Sequence, residues 1–236
     1  MQLFYGRPVD NEFWTLEGEE AHHCTKVLRH KVGDTLDIMD GLGNWVTGLI
    51  SEVSSKRVVL KLSGYRQREA VPKHRLHLAF SPVKNMSRLE WMIEKAVETG
   101  VTDFWIIHLQ RTEKTQVRVD RLEKIILSAA KQSLKCWLPV LHPSLKLAEW
   151  LPQVKQLPCR MFGSAHTDHH LTAEYNGKDG LFLVGPEGDF TVDEKKSLLQ
   201  NDFVPVHLGP HRLRTETAVL VGGILMSQYQ QKNPTI

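Results

Sequence analysis

From about residue 75 onward the sequence alternates short apolar runs with helix-length amphipathic stretches, and this alternation restricts the fold more than any other feature. The runs at 75–80, 101–109, 159–162, 181–184 and 203–208 have the length and β-branched or aromatic content of buried strands. Between them lie helical patterns. In 85–99, Leu89, Met92, Ile93, Ala96 and Val97 share one face, and Gly100 is placed to end the helix. In 119–134, Leu122, Ile125, Ile126 and Ala129 do the same. A short helix is expected near 145–150, another from the capping box Thr191-Val192-Asp193-Glu194 to about 200, and a last one over 217–230. Strands that alternate with helices are joined by right-handed crossovers and form a mostly parallel sheet.

The first 70 residues read differently. Residues 19–29 form one short helix with acids at its start and bases at its end, as the helix dipole favours. Gly33-Asp34, Asp40-Gly41 and Gly43-Asn44 then punctuate strand-like runs at 35–39, 45–53 and 57–62, which fits a compact barrel or meander. The polar stretch 66–73, with Pro72 near its end, reads as a linker. The expectation is an α+β chain of two domains, a β-rich one over 1–70 and an α/β one over 71–236. A formal net charge of +3 permits a polyanionic partner without demanding one. Cys24, Cys136 and Cys159 are widely spaced and lack a CxxC pattern, which argues against a disulfide framework or a cysteine zinc site. No apolar run reaches membrane-spanning length and the N-terminus lacks the apolar core of a signal peptide, so the expected location is cytoplasmic, without a membrane partner.

Four constellations could carry chemistry. In Leu183-Val184-Gly185-Pro186-Glu187-Gly188 a buried strand stops at a glycine, a proline fixes the turn, and a second glycine permits close approach of a ligand. A similar loop, Leu208-Gly209-Pro210, follows the next predicted strand. Two such loops at one sheet edge make a crevice suited to a nucleoside-sized ligand, since neither has the GxGxxG or Walker pattern of a phosphate cradle. Next comes Arg212-Leu213-Arg214-Thr215-Glu216-Thr217, whose arginines suit an anionic or electron-rich partner; an Arg–Glu brace at a helix start is the plain alternative. His166-Thr167-Asp168-His169-His170 contains a fragment of a metallo-hydrolase signature, but Ser164 replaces the preceding histidine and no second ligand cluster follows, so a solvated loop and no metal are expected. Finally, Lys84, Arg88, Arg111, Lys114, Lys131 and Lys135, with Arg29, Lys31 and Arg66, could form a track for a nucleic-acid backbone or simply a solvated surface.

Gly185-Pro186-Glu187-Gly188-Asp189-Phe190 and Leu208-Gly209-Pro210-His211-Arg212-Leu213-Arg214-Thr215-Glu216-Thr217-Ala218 resemble the two signature loops of the bacterial 16S ribosomal RNA uracil-N3 methyltransferases, of the SPOUT class of knotted methyltransferases. His22-His23 through Val27-Leu28-Arg29, then Gly33-Asp34 and Asp40-Gly41, resemble that family's PUA-like RNA-binding domain, and Glu94-Lys95, Glu98-Thr99-Gly100-Val101 and Lys131-Gln132-Ser133 with Pro139 resemble its middle segments. The resemblance implies an N-terminal PUA-like β-barrel, a C-terminal SPOUT domain with a parallel sheet and a deep trefoil knot, and a homodimer. It implies S-adenosylmethionine as cofactor, and as reaction the methylation of N3 of one uridine of 16S rRNA near the decoding centre, in the small ribosomal subunit. Cofactor contacts are expected from Phe162, Gly163, Val184, Gly185, Pro186, Glu187, Gly188, Leu208, Gly209, Leu213, Thr217 and Ala218. RNA contacts are expected from Arg29, Lys31, Arg66, Lys84, Arg88 and Arg111.

There are departures: His211-Arg212 stands where the family commonly has Arg followed by Ile or Val, Asp189 where a third Gly is common, and Lys131 where Glu is common. The chemistry asks for N3 placed in line with the methyl group and relieved of its proton, with the charge that spreads onto O2 and O4 met by a cation. Arg214 fits that role, with Arg212 or His211 as helper; Glu216, His211 and water are the alternatives for the base. A non-catalytic RNA-binding or ribosome-assembly factor with the same fold is the competing reading.

Overall fold

The computed structural model describes residues 2–54, 56–68, 72–113 and 116–232. They fall into two units, one of residues 1–73 with 127–138, the other of 74–126 with 139–236. The division expected at 70 thus lies at 73, and the second domain is not one continuous stretch. Residues 127–138 return to the first unit because their backbone pairs there. The Gly43 N–H donates to the Cys136 carbonyl at 2.8 Å and the Leu138 N–H to the Gly41 carbonyl at 3.0 Å. Lys131, at the position where the family commonly has Glu, forms an ion pair with Glu20.

In the first unit, β1 (Leu3–Tyr5), β2 (Arg7–Pro8), β3 (Phe13–Glu17), β4 (Thr35–Met39), β5 (Asn44–Val53) and β6 (Arg57–Arg68) form a six-stranded sheet in the order β1-β4-β5-β6-β3-β2. Only β1 with β4 is parallel. Between β3 and β4, α1 (Gly18–His22) passes directly into a π-helical turn, His23–Val27, where the sequence reads as a single helix. The core holds Phe4, Trp14, Leu16, Ile38, Ile50 and Leu60. β6 extends through Arg68 and so takes up the first part of the expected linker, of which residues 69–71 lie outside the described ones.

The second unit comprises β7 (Leu76–Phe80), α2 (Met86–Glu98), β8 (Asp103–His108), the start of α3 (Val119–Gln132), β9 (Val140–Leu141), β10 (Leu145–Lys146), α4 (Leu147–Val154), β11 (Cys159–Gly163), α5 (Leu171–Glu174), β12 (Gly180–Val184), α6 (Val192–Gln200), β13 (Val204–Val206) and α7 (Thr215–Lys232). The strand order is β10-β8-β7-β12-β11-β13, with β9 also on β8, and every pair is parallel. All five residues of β7 and of β12 are buried, as a sheet covered on both faces requires. On one face Trp150 of α4 and Leu198 of α6 join Trp105, Ile107, Leu181 and Leu183 in a single cluster. On the other face α7 lies against β7 and β12 and packs with α2. Successive strands build outward from β7 through β8, and the chain then crosses to the other side for β11 and β12. The order therefore reverses between β7 and β12. In open parallel sheets that point, at the carboxyl ends of the strands, is where ligands bind.

At the opposite, amino ends of β7 and β8 lies a buried polar cluster that the sequence reading did not single out. The Asp103 carboxylate accepts from Arg75 through Nε at 2.7 Å and Nη2 at 2.9 Å, and from the Thr102 hydroxyl at 2.7 Å. His142 Nε2 lies 2.8 Å from the same carboxylate, stacked flat on Trp105 with ring centroids 3.5 Å apart. The Trp105 indole donates to His77 Nδ1 at 3.3 Å. Among the described residues, His77, Asp103 and His142 are the one group of three spaced as metal ligands could be. The carboxylate is already matched by a guanidinium on both oxygens, so the cluster reads as a brace between the starts of two central strands.

Two expectations follow. A Cβ on Gly222 would stand 2.3 Å and 2.4 Å from Cδ1 and Cε1 of the fully buried Phe182 ring. Gly222→Ala should lower stability by about 1–3 kcal/mol in urea unfolding despite alanine's better helix propensity, and Phe182→Leu in the same background should recover part of the loss. The second concerns pH. Burial depresses the His77 pKa below its ordinary 6.5. Burial pushes Asp103 upward, but the hydrogen bonds from His142, Arg75 and Thr102 prevail and hold it below its ordinary 3.8. Each group therefore stabilises the fold above its unfolded pKa and loses that contribution as pH falls through its folded pKa. Stability should decline first below pH 6.5, where unfolded His77 takes a proton that the folded residue resists, and again below 3.8 for Asp103. In urea titrations at about pH 7.5 and about pH 5.5, His77→Gln should lose less stability between the two than the wild type; an equal loss would remove His77 from the account.

Candidate active site

Three strand ends lie side by side at the carboxyl edge. β11 sits between β12 and β13, with Phe162 opposite Leu183 on one side and Pro205 on the other, and Gly163 opposite Val206. The two glycine loops therefore flank the end of β11. Phe162, buried at that end, meets Phe190 edge to face with centroids 5.5 Å apart. The loops are joined directly: the Thr215 hydroxyl donates to the Gly185 carbonyl at 3.1 Å. Val184, Gly185 and Pro186 are buried, Glu187 and Gly188 exposed, and Leu208, Gly209, Leu213, Thr217 and Ala218 half-buried around them.

Glycine is needed here for two separate reasons. At Gly185 a Cβ would fall 2.9 Å from the Phe190 ring. At Gly209 the backbone has φ +128°, a conformation that side chains disfavour, and nothing lies within 4 Å of where a Cβ would be. A ligand can thus reach the Gly209 peptide unobstructed. Asp189 has φ +63°, in the left-handed region that glycine adopts most readily. Aspartate holds the left-handed conformation with its own carboxylate, which accepts from the Phe190 N–H at 2.8 Å and pairs with Lys195 at 2.7 Å.

The loop after β8 is tied to the same place. Arg111 Nη1 donates to the Gly188 carbonyl at 2.6 Å, and the Gln110 N–H donates to Glu194 Oε1 at 2.7 Å. Glu194 also accepts from the Thr191 N–H at 2.8 Å, closing the expected capping box at the start of α6. Arg111, expected among the RNA contacts, is exposed and has one guanidinium nitrogen on the glycine loop.

Beside the loops, between the ends of β7 and β12, a cavity of about 660 Å³ has a lining that includes Lys84, Met86, Arg88, Glu187 and Glu216. The Asn85 side chain caps α2, accepting from the Ser87 N–H at 2.9 Å. Arg88 Nη1 lies 3.3 Å from Glu216 Oε1, and the Glu216 side chain is only 9% exposed. Lys84 pairs with Glu113 at 3.2 Å in full solvent. Arg212 and Arg214 are exposed on the approach to α7. In the first unit Arg29 is exposed, with φ +60° just after the π-helical turn, and Lys31 is exposed in the loop that follows. Arg66 lies on β6 with its side chain outside the described ones, as is all of Lys114. In the histidine-rich loop, His169 pairs with Glu174 at 2.7 Å, His170 caps the short α5, and His166 and Asp168 are exposed.

Comparison with known proteins gives a consistent picture. The RNA methyltransferase domain family matches residues 70–227, and the RNA methyltransferase PUA domain family matches residues 16–63. The chain is 25% identical over 221 residues to the ribosomal RNA small subunit methyltransferase E of Buchnera aphidicola, covering 89% of this chain and 86% of that protein. It is also 25% identical over 222 residues to the Bacillus subtilis protein of the same name, covering 88% and 86%. A crystal structure described as a "probable rRNA-methyltransferase" from Porphyromonas gingivalis superimposes with TM-score 0.88 at 33% identity, covering 98% of this chain and 99% of that one. The same fold occurs in a ribosomal RNA small subunit methyltransferase E from Neisseria gonorrhoeae, solved bound to S-adenosylmethionine, with TM-score 0.84 at 24% identity and 97% of each chain covered.

Proposed function

The chain belongs to the RNA methyltransferase family, carrying that family's methyltransferase and PUA domains, and on this premise we propose that it methylates N3 of one uridine of 16S rRNA near the decoding centre. The observation that carries the reading is the joining of the two glycine loops at the strand-order reversal, through Thr215 and Gly185, beside a cavity of nucleotide size. S-adenosylmethionine supplies a methyl group already electrophilic on its sulfonium, so the protein's tasks are to hold, orient and desolvate.

The residues fit that cofactor. Gly209 keeps its loop backbone approachable, Gly185 lets Phe190 pack against the other loop, and Phe162 and Gly163 form a wall at the end of β11. Val184 through Gly188, Leu208, Leu213, Thr217 and Ala218 complete the binding set. Arg111 acts on it from behind, by fixing the Gly188 carbonyl. Arg214 meets the charge that develops on the uracil carbonyl oxygens, assisted by Arg212. Arg29, Lys31 and Arg66 of the PUA-like barrel, with Lys84 and Arg88, contact the RNA backbone or the target nucleotide.

The functional form is a homodimer with a trefoil knot, acting on the small ribosomal subunit in the cytoplasm. Support for the dimer comes from α7: Leu220, Val221, Ile224 and Leu225 remain half-exposed on a helix apolar on nearly every side, and Trp91 of the adjoining α2 is 47% exposed. Support for the knot comes from the path after β13, which starts at the sheet edge and returns past Gly185 before α7 lies on β12 and β7. Among the described residues no helix is long and apolar enough to cross a membrane.

The test is transfer of labelled methyl from S-adenosylmethionine to small subunits lacking the modification, with the product identified as N3-methyluridine after nuclease digestion. Arg214→Ala should reduce the rate by about 100-fold or more while leaving cofactor affinity by calorimetry within about threefold. Methyl found on carbon-5 or ribose would refute the regiochemistry, and cofactor binding without transfer would favour an assembly factor.

A further inference from the structure

We infer that the cavity between the ends of β7 and β12 seats the target base, and that the Arg88–Glu216 pair reads the edge of uracil on which the methyl is placed; the inference rests on the function proposed above. Uracil presents at that edge a hydrogen-bond donor, N3–H, between two carbonyl acceptors. A carboxylate beside a guanidinium is the complementary pattern: Glu216 accepts from N3–H while Arg88 donates to a flanking carbonyl. Cytosine has an acceptor at N3 and an amino group beside it, so it would set a lone pair against the Glu216 carboxylate. A site with buried polar groups rejects such a mismatch strongly, because those groups are then left unpaired.

Three features support the assignment. The cavity, about 660 Å³, touches both the glycine loop, through Glu187, and the start of α7, through Glu216, so a base within it lies against the expected cofactor site. Glu216 is nearly buried, while Arg88 is 46% exposed toward the opening. Their 3.3 Å separation is long for a charge-assisted contact, and among the described residues each is the other's ion partner, so both keep hydrogen-bonding capacity for a third group. An ion pair that served only to brace α2 against α7 would need neither the cavity nor the spare capacity.

The step balances without further reactants. The N3–H bond breaks first, its proton passing to a Glu216 carboxylate oxygen, and the anion then turns its in-plane N3 electron pair from Glu216 toward the methyl carbon. The electron pair left on N3 forms the new bond to the methyl carbon, while the pair of the carbon–sulfur bond stays on sulfur as S-adenosylhomocysteine leaves. Charge that accumulates on the carbonyl oxygens is met by Arg88 from the seat and by Arg214 from the solvent side. Glu216 then returns its proton to water.

Two readouts test this, one of them independent of turnover. By NMR titration, uridine monophosphate should bind roughly tenfold tighter than cytidine monophosphate to the wild type, and Arg88→Ala should erase the preference. Glu216→Gln can turn its amide to donate to cytosine N3 as well as accept from uracil N3–H, so it should lose the preference too. In single-turnover transfer to unmodified small subunits it should slow the reaction by about 100-fold or more, with a residual rate rising about tenfold per pH unit as hydroxide takes over the proton. Wild-type cofactor affinity in both variants separates these effects from damage to the cofactor site. A Glu216→Gln enzyme with the wild-type rate and pH profile overturns the proton-accepting role, and an Arg88→Ala protein that still prefers uridine overturns the reading role. If the wild type transfers no methyl to N3 at all, the function itself is wrong and this assignment falls with it.

Discussion

The hydrogen bond from Thr215 to the Gly185 carbonyl is the contact on which the geometry of the site depends. β13 lies at one edge of the sheet, yet α7 must cover β7 and β12 near its middle. The connecting stretch, residues 207–214, therefore runs back across the end of β11, and Thr215 fixes where it arrives. Both partners are buried, so leaving the Gly185 carbonyl unpaired would carry a desolvation cost on the order of 1–3 kcal/mol. Once the arrival point is fixed, Glu216 is held in the first turn of α7 facing Arg88, and Arg212 and Arg214 are held outside on the approach.

The same edge is stiffened from the other side by the loop after β8. Gln110, Arg111 and Thr112 each reach a different partner: Glu194 at the start of α6, the Gly188 carbonyl, and Ser81 just after β7, the last through a hydroxyl pair 2.7 Å apart. Loops that follow parallel strands have no ladder of their own to hold them. Here the charged and polar groups of one loop supply what the sheet does not, and Gly209 alone of the loop glycines keeps open space where a side chain would stand. This is the physical reason that Arg111 serves the loop.

Much of this was legible in the sequence, and for identifiable reasons. The strands and helices of the second unit follow from hydrophobic period and from caps: Asn85, Gly100 and the Thr191–Glu194 box mark boundaries that the structure reproduces. The glycine loops stood out because two similar Gly-Pro loops, at Gly185 and Gly209, follow successive predicted strands. Less legible was anything decided by partners distant in sequence. The early strands around Phe13–Glu17 gain their identity only by pairing with β6, some 40 residues on. The return of residues 127–138 to the first unit rests on backbone bonds to Gly41 and Gly43, which no local pattern announces. Arg75, His77, Asp103 and His142 meet only because three strands start side by side. A pair such as Arg88–Glu216, separated by 128 positions, is likewise invisible until α7 is laid beside α2.

The distribution of cations between exposed and half-buried positions bears on how such a site works. Arg212 and Arg214 stand in water, where a unit charge 4 Å from another is worth only about 1 kcal/mol and salt weakens it further. On the proposed function they gain strength when RNA covers them and excludes solvent, which would couple charge stabilisation to correct docking of the substrate. Arg88, by contrast, already shares a partly desolvated wall with a nearly buried carboxylate, and its field there is less screened before anything binds. A group that must discriminate one base from another at first contact belongs in the second environment. A group that should act only in the assembled complex belongs in the first, and on the proposed reading the arginines are divided in that way.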